Sequence, residues 1–345
     1  MARKISLIDM AYQMAWSDLA DLASGQAQVF MGSPGNVLER DCRGHRYVFH
    51  QYTSAAGGRV QDQLGRADEP QTQAARHALI ERIDQTKALI ERIRDLVKLG
   101  YQVADSRTYG VAAALYNAGL FQHGLTLIGS HAYGVLLNTL GITATPYRSN
   151  DVDVARGPGK LALPSLDLAR LLARTRIDFV PVPAFDHRDP STSHKERGQS
   201  PFRVDLLVPS KTLEIGAVEV PALKSFATAL PHLGYLLENT GMAPLISRHG
   251  AVPVRVPEPA RFAVHKLVVA DLRVNQRDKT AKDIHQAAVL LAALAQRQPG
   301  DIEQAVSALP KSAKPHGARR IKALGAELAG ETLERVLQEL AGLQA

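Results

Sequence analysis

The chain has 345 residues, of which 45% are hydrophobic and 22% charged. This is a globular balance, with no apolar run near the roughly 18 residues of a membrane helix. Its net charge of +7 favours a polyanionic partner, nucleic acid or nucleotide. A single cysteine, Cys42, excludes an internal disulfide and a multi-cysteine zinc site and fits a reducing compartment. The opening "MARKISLIDMAYQMAW" sets Asp9 inside its apolar stretch and lacks a small-residue cleavage site, so a cytoplasmic address is expected.

Typical domains hold about 100 to 200 residues, and the pattern divides this chain into three stretches. Residues 1–104 read as a helical and β-hairpin extension. A first helical segment runs to the break "MGSPGN", and "RGHRYVFHQYTSAAGGRVQDQLG" supplies strand formers around a turn at Ser54 to Gly58. The motif "DCRGHRYVFH" places Cys42, His45 and His50 together, but without the fourth ligand that zinc requires. From Glu69 to Leu99 the spacing of Leu79, Ile83, Ile90, Ile93 and Val97 predicts one long amphipathic helix lying across the rest of the chain, with "ALIERI" repeated at 78 and 88.

Residues 105–256 alternate helix and strand patterns and read as an α/β (α+β) core with a mixed sheet. "SRTYGVAAALYNAGL" is a helix closed by Gly119, "LTLIGS" a buried strand, "HAYGVLLNTLG" a helix closed by Gly141, and "NDVDVA" a strand. "SLDLARLLARTR" is a helix with Ser165 as its expected cap; "FVPVPAFDHRDPSTSHKERGQS", with His187 and His194, reads as a polar loop. "FRVDLLVP" and "AVPVRVP" are strands. Residues 257–345 form a helical lobe with a basic patch, Lys311 to Lys322, before a last amphipathic helix.

The chemistry lies in the core stretch. Alternation along "NDVDVA" turns Asp151 and Asp153 to one face and Val152 and Val154 to the other. Two carboxylates so placed repel unless a cation lies between them, and magnesium binds through one or two carboxylates plus substrate phosphates. In "FRVDLLVP" a single acid, Asp205, interrupts an apolar strand; beside "NDVDVA" it becomes a third carboxylate, able to hold metal or take the proton of an attacking hydroxyl. Gly129 and Ser130 stand where a strand turns into a helix, a place suited to phosphate because glycine permits close approach and the helix start offers free amides.

This ordered set resembles the polymerase β-type nucleotidyltransferase superfamily, whose signature is Gly-Ser, then Asp-x-Asp, then an Asp on a neighbouring strand. Gly129, Ser130, Asp151, Asp153 and Asp205 match it in turn, although the twenty residues between Ser130 and Asp151 make a longer interval than usual, and His131 stands where a small residue often follows. More narrowly the chain looks like the bacterial nucleotidyltransferase-fold proteins. Its second half is similar to abortive-infection type nucleotidyltransferase toxins, with their Lys-Leu-x-x-Ala-x-x-x-Arg helix and following Asp-containing helix. "KLVVADLR" supplies Lys266, Leu267, Ala270 and Arg273, with the arginine one residue early, and "KDIHQAAVLL" supplies Asp283.

The resemblance implies a nucleotidyltransferase-type fold that moves NMP from an NTP to an acceptor hydroxyl with release of pyrophosphate. It further implies Mg2+ (or Mn2+) on Asp151, Asp153 and Asp205, with Gly129, Ser130, Lys266, Arg273 and Asp283 on the nucleotide. RNA, or tRNA in particular, is the preferred acceptor. Two rival expectations are a catalytically silent nucleic-acid binder working through the basic hairpin and the Lys311 to Lys322 patch, and a toxin–antitoxin interaction protein or homodimer joined through the helix at 79–97.

Overall fold

The computed structural model describes residues 6–145, 149–157, 165–184, 186, 188–273 and 276–344. Asp9 ends the extended entry and caps the helix Met10–Ser24 by accepting a hydrogen bond from the Ala11 amide. The expected hairpin is the second half of a three-stranded antiparallel meander, Asn36–Cys42, His45–Thr53 and Arg59–Arg66. Its first strand escaped the pattern because its residues are largely exposed and show no alternation. Cys42 is exposed at the tip of that first hairpin, while His50 is buried and bonds the Pro34 carbonyl at 2.8 Å, so the two stand apart in role.

The long helix spans Pro70–Lys98. Ile83, Ile90 and Ile93 are buried as their spacing predicts, whereas Val97 is exposed and Leu89 and Leu96 take its place. Leu89, Ile93 and Leu96 pack with Trp16 and Leu19 of the first helix and with Ile246 and Ala251. The apolar seam proposed as a partner surface is therefore largely covered by the chain itself.

At the centre is a mixed sheet. Its strands run in the order Gly216–Val220, Ser225–Leu230, Arg203–Pro209, Asp151–Arg156, Leu125–Leu127. Arg203–Pro209 lies parallel to Asp151–Arg156 on one side and to Ser225–Leu230 on the other, and the remaining neighbours are antiparallel. Val152, Val154, Val204 and Leu206 are buried while the intervening residues face outward, as period-two alternation requires. The polar stretch read as a loop in fact adds two strands, Phe179–Pro181 and Ser193–Glu196, the latter carrying His194 onto the first half of Arg203–Pro209. Backbone pairing with an existing edge decides that segment, and composition does not reveal it. The helix Leu168–Ala173 is capped by Asp167, which accepts from the Arg170 amide, in place of Ser165. His187, and Pro146 to Arg148 of the "TATPYRS" segment, lie outside the described residues.

The helix Ser106–Asn117 is buried along most of its length and approaches the meander closely: a Cβ on Gly110 would stand 2.3 Å from that of Ala55. The hairpin Thr240–Ser247 and Gly250–Pro257 packs between the sheet and the N-terminal helices, and the helices Pro259–Leu272 and Arg277–Arg297 follow. Ala55, Val152 and Val336, one from each of the three stretches, belong to one continuous apolar core.

Candidate active site

The parallel pairing of the two central strands sets Asp205 directly opposite Asp153 and Arg203 opposite Asp151. Because register and alternation are both satisfied, the three carboxylates share one face of the sheet. On the other side of Asp151–Arg156, the Ile128 amide donates to the Asp153 carbonyl at 2.9 Å, and the chain then turns into the helix Gly129–Thr139. Gly129 has φ +67°, and a Cβ there would meet Asp153 Oδ2 at 2.1 Å. The carboxylate of Asp153 thus rests against the first turn of the helix, where only glycine leaves room. The cap position is Ile128, which offers no side-chain bond, so Ser130 is not the helix cap. It is buried, 7% exposed, and lines a cavity of about 720 Å³.

The electrostatics of the cluster are those of excess negative charge. Burial first, then repulsion from Asp205 and Asp151, pushes the Asp153 carboxyl up to about 7, against the pull of Lys266 and Arg203. Arg203 partly neutralises the group: its Nε lies 3.1 Å from Asp151 Oδ1 and 3.1 Å from Asp205 Oδ2. These are ionic contacts, since Nε finds neither oxygen in hydrogen-bonding geometry; the directed bond is Nη2 to Asp151 Oδ2 at 3.3 Å. Asp205 Oδ1 is buried with no hydrogen-bond partner among the described residues.

Among the described residues no three His, Cys, Asp or Glu side chains form a ready-made metal cage. The donor chemistry nevertheless fits a divalent ion that completes its shell with substrate phosphates. An orphaned carboxylate oxygen and a carboxyl raised by its neighbours are both relieved by a cation between them.

The second group of expected residues is organised around Asp283. This aspartate is 2% exposed, and its oxygens bind Lys266 Nζ at 2.6 Å and Arg273 Nε at 2.6 Å. Burial alone would raise its carboxyl; Lys266 and Arg273 outweigh burial and hold it below the usual range. The helix carrying Lys266 ends at Leu272, so Arg273 is its extended C-cap rather than the end of a helical stripe. Lys266 acts on Asp153 through space, whereas Asp283 stands one step back as the residue that holds the two cations.

Three residues outside the expected set stand at or beside the candidate site. Arg203 lies two positions before Asp205, and strand alternation alone would have placed it there. Burial, and then Lys266, holds the Lys282 ammonium below its usual range, while Asp283, Asp153 and Asp151 pull it up. Its position beside Asp283 in the sequence was the available signal. His131 lines the large cavity, where burial lowers its pKa, with Thr108 Oγ1 at 3.4 Å.

A family model described as "Nucleotidyltransferase" matches residues 106–310. No curated protein matches the chain. Among solved structures, the crystal structure of an antigenic nucleotidyltransferase-like protein from Paracoccidioides brasiliensis is similar at 15% identity and a TM-score of 0.33, over 66% of this chain and 95% of that one. The family match takes in more than half of the chain, from the helix before Gly129 past Asp283. It includes each strand that carries a clustered aspartate, the helix that carries Lys266 and the helix that carries Asp283, and with more than half of the chain matched the chain belongs to the nucleotidyltransferase family.

Proposed function

We propose that the chain moves a nucleoside monophosphate from an NTP to an acceptor hydroxyl, releasing pyrophosphate, at the face shared by Asp151, Asp153 and Asp205. The observation that carries this reading is the register that pairs Asp205 with Asp153 while Gly129 presses a helix start against the same carboxylate. Nucleotidyltransferases generally use divalent metals, and Asp151, Asp153 and Asp205 would hold Mg2+ or Mn2+ here. Such an ion supplies charge neutralisation for the triphosphate and lowers the pKa of oxygens bound to it.

The rest falls to the chain's own groups. The amides after Gly129 and the Ser130 hydroxyl receive phosphate oxygens. Lys266, pre-set by Asp283, adds positive potential where negative charge gathers on the leaving pyrophosphate, with Lys282 beside it. Arg273 acts on the nucleotide through the same bridge. Asp205, whose Oδ1 has no hydrogen-bond partner among the described residues, accepts the proton of the attacking hydroxyl.

An RNA acceptor rests on the net charge of +7. A second reading, a compact uncharged acceptor, is favoured by the large cavity. Its only charged lining residues among those described are Asp105 and Arg107, and Arg107 is bound to Glu196 at 3.1 Å. Asn138, Ser149, Asn150 and Ser200 offer neutral polar contacts there. The test supplies α-labelled NTPs of all four bases with Mg2+ or Mn2+, and as acceptor either total RNA or a pool of small hydroxyl compounds. Label transfer by wild type and not by Asp151→Ala or Asp153→Ala supports the reading, and equal transfer by the variants removes it.

A further inference from the structure

A second cavity, of about 230 Å³, opens where the three-stranded meander meets the helix Pro70–Lys98 and the turn after Leu168–Ala173. It shares no lining residue with the large cavity and none with the carboxylate cluster. Its charged lining is Arg82, Arg174 and Arg176 against one acid, Asp62. That acid is already engaged: Arg176 Nη2 lies 3.2 Å from Oδ1, and the Tyr52 hydroxyl donates to Oδ2 at 3.0 Å.

Arg82 is the one of these cations that is partly buried rather than exposed. Its Nε is buried and has no hydrogen-bond partner among the described residues. Burial lowers its pKa, and no carboxylate acts to raise it. Its carbon lies 4.2 Å from the centre of the Phe30 ring. Stacking of that kind occupies the flat face of a guanidinium and leaves the in-plane N–H donors still to be bonded. An arginine does not shed its charge in a protein, so a half-buried one whose Nε is enclosed without an acceptor leaves positive charge that a bound anion can meet. Aromatic rings continue from Phe30 along the lining, with His50 beside Phe30 at 5.6 Å and Tyr52 stacked on His50 at 4.8 Å.

We propose that this cavity binds a phosphate dianion, with the half-buried Arg82 as its anchor and Arg174 and Arg176 as the cations of its rim. Three guanidinium groups against one carboxylate leave two positive charges, which a phosphate dianion neutralises and a carboxylate does not. Planar N–H pairs match phosphate oxygens two at a time. The aromatic wall gives the rest of such a ligand a flat surface, and the phosphate could come from a nucleoside monophosphate or from inorganic phosphate itself. The assignment stands apart from the carboxylate site and does not depend on what that site transfers.

The test is calorimetric titration of the full chain in EDTA with inorganic phosphate and, separately, with adenosine 5′-monophosphate. Saturable one-to-one binding is expected, weakened about tenfold or more by Arg82→Gln and by Arg174→Gln and unchanged by Asp153→Ala. Tighter binding of the nucleotide than of phosphate assigns the site to nucleotides; equal or weaker binding assigns it to phosphate alone. Absence of saturable binding by either probe overturns the proposal, as does wild-type affinity in Arg82→Gln or loss of binding in Asp153→Ala alone. If Arg82→Gln does not fold, Arg174→Gln on the exposed turn decides in the same terms, wild-type affinity there overturning it.

Discussion

Gly129 is where backbone and chemistry meet most closely. Its φ of +67° already disfavours any side chain by about 1–2 kcal/mol, and a methyl group would collide with the Asp153 carboxylate at 2.1 Å. Gly129→Ala is therefore expected to displace Asp153 and to lower kcat by about 100-fold or more while the protein still folds, read by label transfer beside circular dichroism. His265 offers a pH test away from the carboxylates. It is buried, its Nε2 has no hydrogen-bond partner among the described residues, and burial, then Lys266, lowers its pKa to about 3. The unfolded chain takes up this proton near pH 6.5 and the folded chain only near pH 3, so below about pH 6.5 the unfolded state binds more protons and stability falls as the pH drops. One such group accounts for at most about 1.4 kcal/mol per pH unit. His265→Leu should flatten that slope between about pH 6 and pH 4 in urea unfolding, and an unchanged slope would mean that the ring is protonated in the folded protein.

Two helices are joined by a pair of short ionic bonds, Lys266 and Arg273 on one side and Asp283 on the other, in surroundings that exclude water. Removing one partner of a buried pair typically costs about 3–5 kcal/mol, because the remaining charge is left uncompensated, whereas replacing both by apolar groups is often neutral. Lys266→Met leaves Asp283 bound by Arg273 and is expected to lower stability by less, about 1.5–3 kcal/mol, and Lys266→Met with Asp283→Leu to recover most of it. Nucleotide transfer should remain low in both. Recovery of transfer along with stability would show Lys266 to be structural alone. At this scale the sequence was most readable where an element has one solvated side. The helix Pro70–Lys98 and the alternation in Asp151–Arg156 and Arg203–Pro209 follow from their apolar spacing. Elements without such contrast were missed or misplaced. Asn36–Cys42 is mostly exposed, and Ser193–Glu196 is polar, strand only because an edge of Arg203–Pro209 was open to it.

Across the molecule, residues 6–104 form part of the core that supports the candidate site. Asn117 exchanges two hydrogen bonds with the Val29 backbone, at 2.9 and 2.8 Å, and the Ile8 amide bonds the Gly141 carbonyl at 2.8 Å. Arg297, from the C-terminal stretch, donates to both Gln13 Oε1 and the Leu140 carbonyl at 2.8 Å. A chain of residues 105–345 would expose the buried face of Ser106–Asn117, and it is expected to be insoluble or to show no cooperative thermal transition. A soluble, cooperative fragment would instead mark the N-terminal stretch as an independent unit. Bonds of this kind join residues remote in the chain, and nothing in local spacing announces them.

The order of the proposed site groups was read from the amino-acid sequence alone: Gly129 with Ser130, Asp151 with Asp153, then Asp205, then Lys266, Arg273 and Asp283. Composition, turn chemistry and side-chain alternation are local properties, and they suffice to say which face each acid takes. The tertiary structure decided what those groups meet. Strand register set Asp205 against Asp153, parallel pairing brought Arg203 between two carboxylates, and helix packing turned Lys266 and Arg273 onto Asp283. Such pairings depend on which edges and faces remain open once the core has closed, a property of the folded chain that no short stretch of it contains.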